Sequence, residues 1–156
     1  MEKIERDFIG YSNNNPSIRW PNNSKIAVQF VLNYEEGAEN CILNGDDASE
    51  SFLSEIIGAF PYQNARHMSM ESIYEYGSRA GVWRILDLFR DFEIPITVFG
   101  VAKALQKNLF FCDRVLKDNH EICSHGLRWI NYNRLKEDIE RGHMHEAIEI
   151  QQYISG

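Results

Sequence analysis

The sequence predicts an α/β fold built on a small parallel sheet, and three observations carry that prediction. Short apolar runs rich in β-branched and aromatic residues occur at 25–34, 94–100 and 121–124, the pattern of strands covered on both faces. Segments with apolar residues at three- and four-residue steps lie between and after them, which is the period of helices. Repeated alternation of the two is satisfied by parallel strands joined through right-handed crossovers. A chain of 156 residues holds one domain with its own core and is too short for two.

Residues 1–24 contain Asn, Ser and Pro with Tyr11, Trp20 and Pro21, which predicts an irregular arm whose aromatic rings pack on the domain. Lys25 to Tyr34 is the strongest strand, expected to be buried on both faces. From Glu36 to about Met70, Gly37, Gly45, Gly58 and Pro61 interrupt any period. Ala48 to Ile57 is expected to form a short helix there, capped by Asp46 or Asp47. A connection this long is more often a lid or a subunit contact than plain loop.

Ser69 to Phe92 spaces Ile73, Tyr76, Ala80, Trp83, Leu86 and Phe89 as one amphipathic helix, or as two broken near Gly77 or Gly81. Ser69, or Ser72 as an alternative, is its expected cap. Ile94 to Gly100 is the second strand, with Pro95 at its first turn where a missing N–H is tolerated. Helices follow at Val101 to Gln106 and Leu109 to Asp118, then a strand at Glu121 to Ser124 and a charged helix at Arg134 to Tyr153. Three strands do not close a barrel, which needs about eight. The fold is therefore a small open sheet or the front part of something larger.

Composition removes several classes of function. Hydrophobic residues make up 44% and charged residues 25%, ordinary values for a folded soluble domain. A net charge of −7 without clustered Lys and Arg argues against a nucleic-acid partner. Cys41, Cys112 and Cys123 have no paired spacing, so they are expected to be reduced thiols in a cytoplasmic protein. The charged start, Met1 to Asp7, does not look like a signal peptide, and no apolar run is long enough to span a bilayer. No membrane partner is expected.

Two strand ends carry the candidate chemistry. Glu35 and Glu36 follow the first strand, and His125 follows the third; sites in parallel α/β folds form at this end of the strands. Adjacent residues on a strand face opposite ways, so the two glutamates share a pocket only if the chain has already turned. Gly37 permits that turn. A carboxylate in a half-dry pocket acquires a raised pKa suited to taking a proton from water. A zinc site wants three protein ligands, for which Glu36 and His125 are two weak candidates, and Trp129 is unable to be a third. His67 begins the helix after the long connection and is a candidate ligand contact. His143 and His145 lie two apart on the last helix, which does not match the four-residue spacing of a helical metal pair. Arg79 and Arg84 are read as surface or ion-paired side chains, either able to hold a carboxylate or ureide oxygen. No glycine-rich phosphate loop and no serine-hydrolase elbow occurs.

Val31-Leu32-Asn33-Tyr34-Glu35-Glu36-Gly37 and Ser124-His125-Gly126-Leu127-Arg128-Trp129, together with Arg19-Trp20-Pro21, His67 to Gly81 and Thr97 to Ala102, resemble the N-terminal half of the polysaccharide deacetylase superfamily, and specifically its allantoinase branch. The resemblance implies the N-terminal part of a distorted β/α barrel, with about three parallel strands and flanking helices. It implies hydrolysis of non-peptide carbon–nitrogen bonds, in an acetylated sugar or a small cyclic ureide. Glu35 then matches the general-base aspartate and Glu36 the metal-binding aspartate, with His125 as the first histidine of a His-(Ser/Thr)-x-x-His motif. Trp129 replaces the second histidine, so no metal cofactor is expected, and Trp129 and His67 become substrate contacts. The family's later motifs have no counterpart in this sequence. The chain is thus expected to be a single truncated domain, 1–156, that is incomplete as an enzyme. The alternative expectation is an inactive remnant or half of a split protein, which assembles as a homo-oligomer or with a separately encoded C-terminal half.

Overall fold

The computed structural model describes residues 6–156, and the charged first five residues lie outside the described residues. Three parallel strands form one sheet in the order β1 (Val31–Tyr34), β4 (Thr97–Gly100), β5 (Glu121–Ser124). A separate two-residue hairpin, β2 (Ala48–Ser49) with β3 (Tyr62–Gln63), lies in the long connection after β1. The helices are α1 (Met68–Tyr76), α2 (Val82–Asp91), α3 (Ala102–Lys107), α4 (Leu109–Lys117) and α5 (Glu137–Ser155).

Register is what positions the site. Tyr34 pairs with Gly100, and Gly100 with Ser124, so the three strands end level with one another. Residues 35, 101 and 125 therefore leave the sheet along one edge. The start of α3 fastens that edge: Val101 N–H donates to Tyr34 O at 3.0 Å, and Ala102 N–H to Gly126 O at 2.9 Å. Beneath it, Tyr34, Leu86, Val98, Leu105, Phe111 and Val115 are buried in one cluster, with the Tyr34 and Phe111 rings stacked at 4.0 Å. Full burial of each such side chain stabilises the fold by about 1.5–3 kcal/mol. The Tyr34 hydroxyl accepts from Asn108 Nδ2 at 2.8 Å, and burial pushes its pKa up to about 12.

Several expectations are corrected. The first strand is shorter than 25–34 and is not covered on both faces: Ile26, Val28 and Val31 are exposed, because β1 is an edge strand among the described residues. The helix expected over Ala48 to Ile57 is absent. Its intended cap, Asp46, instead accepts from Cys41 N–H at 2.9 Å and binds Arg128, and residues 48–49 pair with 62–63. Ser69 does not cap α1; His67 occupies that position without a side-chain cap bond. Of the two alternatives for residues 69–92 the continuous one is found, because a π turn at Gly77–Gly81 carries α1 into α2. The arm over 6–24 is irregular apart from a 3-10 turn at Pro21–Asn23, but Tyr11 and Trp20 are exposed rather than packed. The later elements fall within three residues of their expected bounds. Among the described residues, no helix is long and apolar enough to cross a membrane.

Candidate active site

The β1 chain turns immediately after its last residue. Ala38 N–H donates to Glu35 O at 3.0 Å, and Gly37 takes φ +95°, a left-handed conformation that disfavours any residue with a Cβ. The turn resolves the problem of adjacent glutamates, since Glu35 and Glu36 both line one small cavity of about 110 Å³. Its other walls are Asn33, Glu39, Phe52, Leu53, Tyr74 and Trp129.

His125 joins this group from β5. Its Nε2 lies 2.9 Å from Glu35 Oε1, with both side chains partly open to solvent. The Phe99 ring lies 5.7 Å from the imidazole, centre to centre. The pair bridges two segments ninety residues apart in sequence, across the end of β4.

Glu36 is deeper. Its Oε2 accepts from Glu35 N–H at 3.1 Å, and burial raises its pKa above the ordinary carboxylate value, against the lowering by that hydrogen bond. The carboxylate rests against the π turn at Gly77, where an added Cβ would overlap Oε1. π turns of this kind often mark functional positions in helices. Gly77 thus admits the carboxylate, which explains why a glycine is tolerated inside an otherwise helical run.

Trp129 forms the far wall. Its backbone N–H donates to Ala38 O at 3.0 Å, and the edge contacts of Phe52 and Tyr74 hold its ring at 5.7 and 5.9 Å. His67 is not brought to this cavity; it is buried and stacked on Tyr62 at 4.0 Å. His143 meets the Tyr132 hydroxyl at 3.2 Å, and Arg79 pairs with Glu75 at 3.0 Å. Arg84 donates to the Tyr76 hydroxyl at 3.2 Å.

A three-ligand zinc centre is not assembled among the described residues. His125 directs Nε2 at Glu35, and Trp129 offers no ligating atom where a second histidine is needed. Among the described residues, no group of three His, Cys, Asp or Glu side chains is gathered for a metal ion.

Sequence reasoning missed Glu39, Tyr74, Phe52 and Leu53. Glu39 is buried and accepts from Gly37 N–H at 2.6 Å, while the Tyr74 hydroxyl donates to Phe52 O at 2.8 Å. The available signals were the acidic run after β1, whose third carboxylate closes the turn, and Tyr74 one turn beyond Met70 on the buried face of α1.

A parallel β/α sheet with a glutamate and an imidazole in contact at its C-terminal edge is the arrangement on which enzymes of the β/α class build their sites. The chain belongs to the polysaccharide deacetylase family, whose model matches residues 63–156. It is 43% identical over 131 residues to a Schizosaccharomyces pombe protein named "Putative polysaccharide deacetylase", covering 83% of this chain and 41% of that one. The crystal structure of a probable polysaccharide deacetylase from Pseudomonas aeruginosa PAO1 superposes with a TM-score of 0.92 at 56% identity, over 98% of this chain and 51% of that one. The crystal structure of Puue allantoinase also gives a TM-score of 0.92, at 55% identity, over 99% of this chain and 51% of that one. The chain thus spans about half the length of the relatives it matches.

Proposed function

We propose that this chain carries the acid–base half of an amidohydrolase site acting on a small ureide. Glu36 takes a proton from water as the new C–O bond forms at the carbonyl carbon. Glu35 fixes the orientation of His125, which polarises the carbonyl oxygen and then gives a proton to the departing nitrogen as the C–N bond breaks. Each such transfer contributes about 10²–10⁴-fold. The single observation that carries this reading is the 2.9 Å contact between Glu35 and His125 across the sheet edge. The likeness to an allantoinase structure and the small aromatic-walled cavity favour a ureide over an acetylated sugar. Trp129 lies against the substrate, and the Glu36 carboxylate rather than a metal ion activates the water. Free, mostly buried thiols at Cys41, Cys112 and Cys123 suit a cytoplasmic setting.

The test is hydrolysis of allantoin and of N-acetylated sugars by the purified chain, alone and mixed with the C-terminal half of a relative. Ring opening of allantoin that is lost in Glu36→Gln and His125→Ala is the expected result. No turnover of either substrate class under both conditions would retire the proposal.

A second reading is favoured by the exposed apolar residues of the first strand region, Val28, Phe30 and Val31. An uncovered edge of this kind pairs with another chain, so we propose assembly either with a second copy or with a polypeptide completing the barrel. Sedimentation showing a monodisperse monomer at micromolar concentration would count against it.

A further inference from the structure

Besides the Glu35–His125 contact and the bond from Trp129 N–H to Ala38 O, the two motif-bearing loops are joined by a set of side-chain bonds centred on Arg128. Arg128 forms a forked pair with Asp46, Nη1 to Oδ1 at 2.8 Å and Nη2 to Oδ2 at 2.6 Å. The same Nη2 donates to Glu39 O at 2.9 Å. Asp46 in turn accepts from Cys41 N–H, so the 39–46 loop is closed around the carboxylate. Asn44 Nδ2 reaches back to Glu39 O at 2.9 Å and to Gly37 O at 3.3 Å. From α3, Lys107 Nζ grips Gly37 O and reaches Asn44 Oδ1 at 2.8 Å. Two cations, one in the loop after β5 and one at the end of α3, thus hold the Gly37 and Glu39 carbonyls of the segment that directly follows both glutamates.

The Arg128 and Asp46 side chains are mostly sheltered, 18% and 19% exposed, which distinguishes this pair from surface ion pairs of little consequence. Forked carboxylate recognition also fixes direction as well as distance, which a lysine does not reproduce. Neither residue lines the cavity that holds Glu35, Glu36 and Trp129.

We infer that Arg128 is a positioning residue: through Asp46 and the Glu39 carbonyl it locks the loop after β5 to the turn after β1, and so sets the Glu35–His125 contact. This inference rests on the acid–base reading of that pair, and its test needs no turnover. Histidine-¹⁵N-labelled chain reports the His125 ring nitrogens, identified by their loss in His125→Gln. Glu35→Gln supplies the signal of a ring without its carboxylate partner. In Asp46→Asn and Arg128→Lys, the His125 ring signals are expected to move at least halfway to that reference. The other four histidines and the far-ultraviolet circular dichroism should stay in place. Asp46→Asn is the decisive variant, because it keeps Arg128 in its packing and removes only the charge.

His125 signals at the wild-type position in folded Asp46→Asn would overturn the inference. Wild-type signals already matching Glu35→Gln would overturn the pairing and the clasp together. Movement of the signals without any turnover by the wild-type chain would retire the proposed reaction and leave the clasp standing.

Discussion

Gly77 offers a way to move one carboxylate without disturbing the fold. A Cβ in Gly77→Ala would overlap Glu36 Oε1 and sit 3.2 Å from its Cδ and 3.4 Å from its Cγ, so the three nearest atoms it meets all belong to that one side chain. The atom that must give way is the far end of a flexible side chain, so Glu36 swings rather than the helix. Replacing glycine by alanine inside a helix stabilises by about 0.5–1 kcal/mol. Against this stand a displaced rotamer, costing about 0.5–1.5 kcal/mol, and the lost Glu35 N–H bond, about 0.5–1.5 kcal/mol. The net change is at most about 2.5 kcal/mol, less than the roughly 3–5 kcal/mol of a large core deletion. A loss of that size shifts the melting temperature by no more than about 10 °C for a chain of this length. The raised Glu36 pKa, by contrast, should fall toward the ordinary carboxylate range as the group turns to water. Urea unfolding gives the stability, and ¹³C titration of the labelled glutamate carboxyls gives the pKa. Where turnover is measurable, it should drop by about 10²-fold, the cost of a misplaced reacting group. A Glu36 titration unchanged in Gly77→Ala would refute the argument, as would destabilisation beyond about 4 kcal/mol of the kind that core disruption produces.

Two further outcomes follow from the same geometry. Because the folded pKa of Glu36 lies above its unfolded value, the group favours folding most below the unfolded value, and that contribution is lost as pH rises through the folded pKa. Glu36→Gln should therefore flatten the fall in stability on the alkaline side of pH 4.5, as read by urea midpoints across pH 4–7; an unaltered pH profile would contradict the burial. Tyr74→Phe removes the bond that holds Phe52 O and should cost about 0.5–1.5 kcal/mol. Limited proteolysis within 51–60 should quicken by several-fold, and equal cleavage rates would show that the hydroxyl does not tether the segment.

Much of the sheet was legible because strands leave a local record. Ile94 to Gly100 and Glu121 to Ser124 contain strands β4 and β5, and Glu35, Glu36 and His125 stood out as polar residues immediately after apolar runs. The first run misled on extent rather than on type. Its apolar residues fit cover on both faces, yet Ile26 and Val28 face solvent among the described residues because no neighbour lies beyond β1. The region after Glu36 was less legible for a different reason. Asp46 looks like a helix cap in its local setting, and only its partner eighty-two residues away, Arg128, reveals that it closes a loop. His67 likewise looks available at a helix start until Tyr62, five residues earlier, covers its ring. Pairings made by the fold at long range leave little trace in spacing.

The level endings of β1, β4 and β5 divide the chain into parts that tolerate lengthening and parts that do not. Extra residues near Ile57, fully exposed between the hairpin strands, would extend a loop and leave the strand ends where they are. One residue added inside Val31–Tyr34 would reverse the facing of everything after it and carry Glu35 away from the imidazole. Drift in chain length should accordingly collect in the connection that frames the cavity, where it alters the shape of the opening while Glu35 and His125 stay in register.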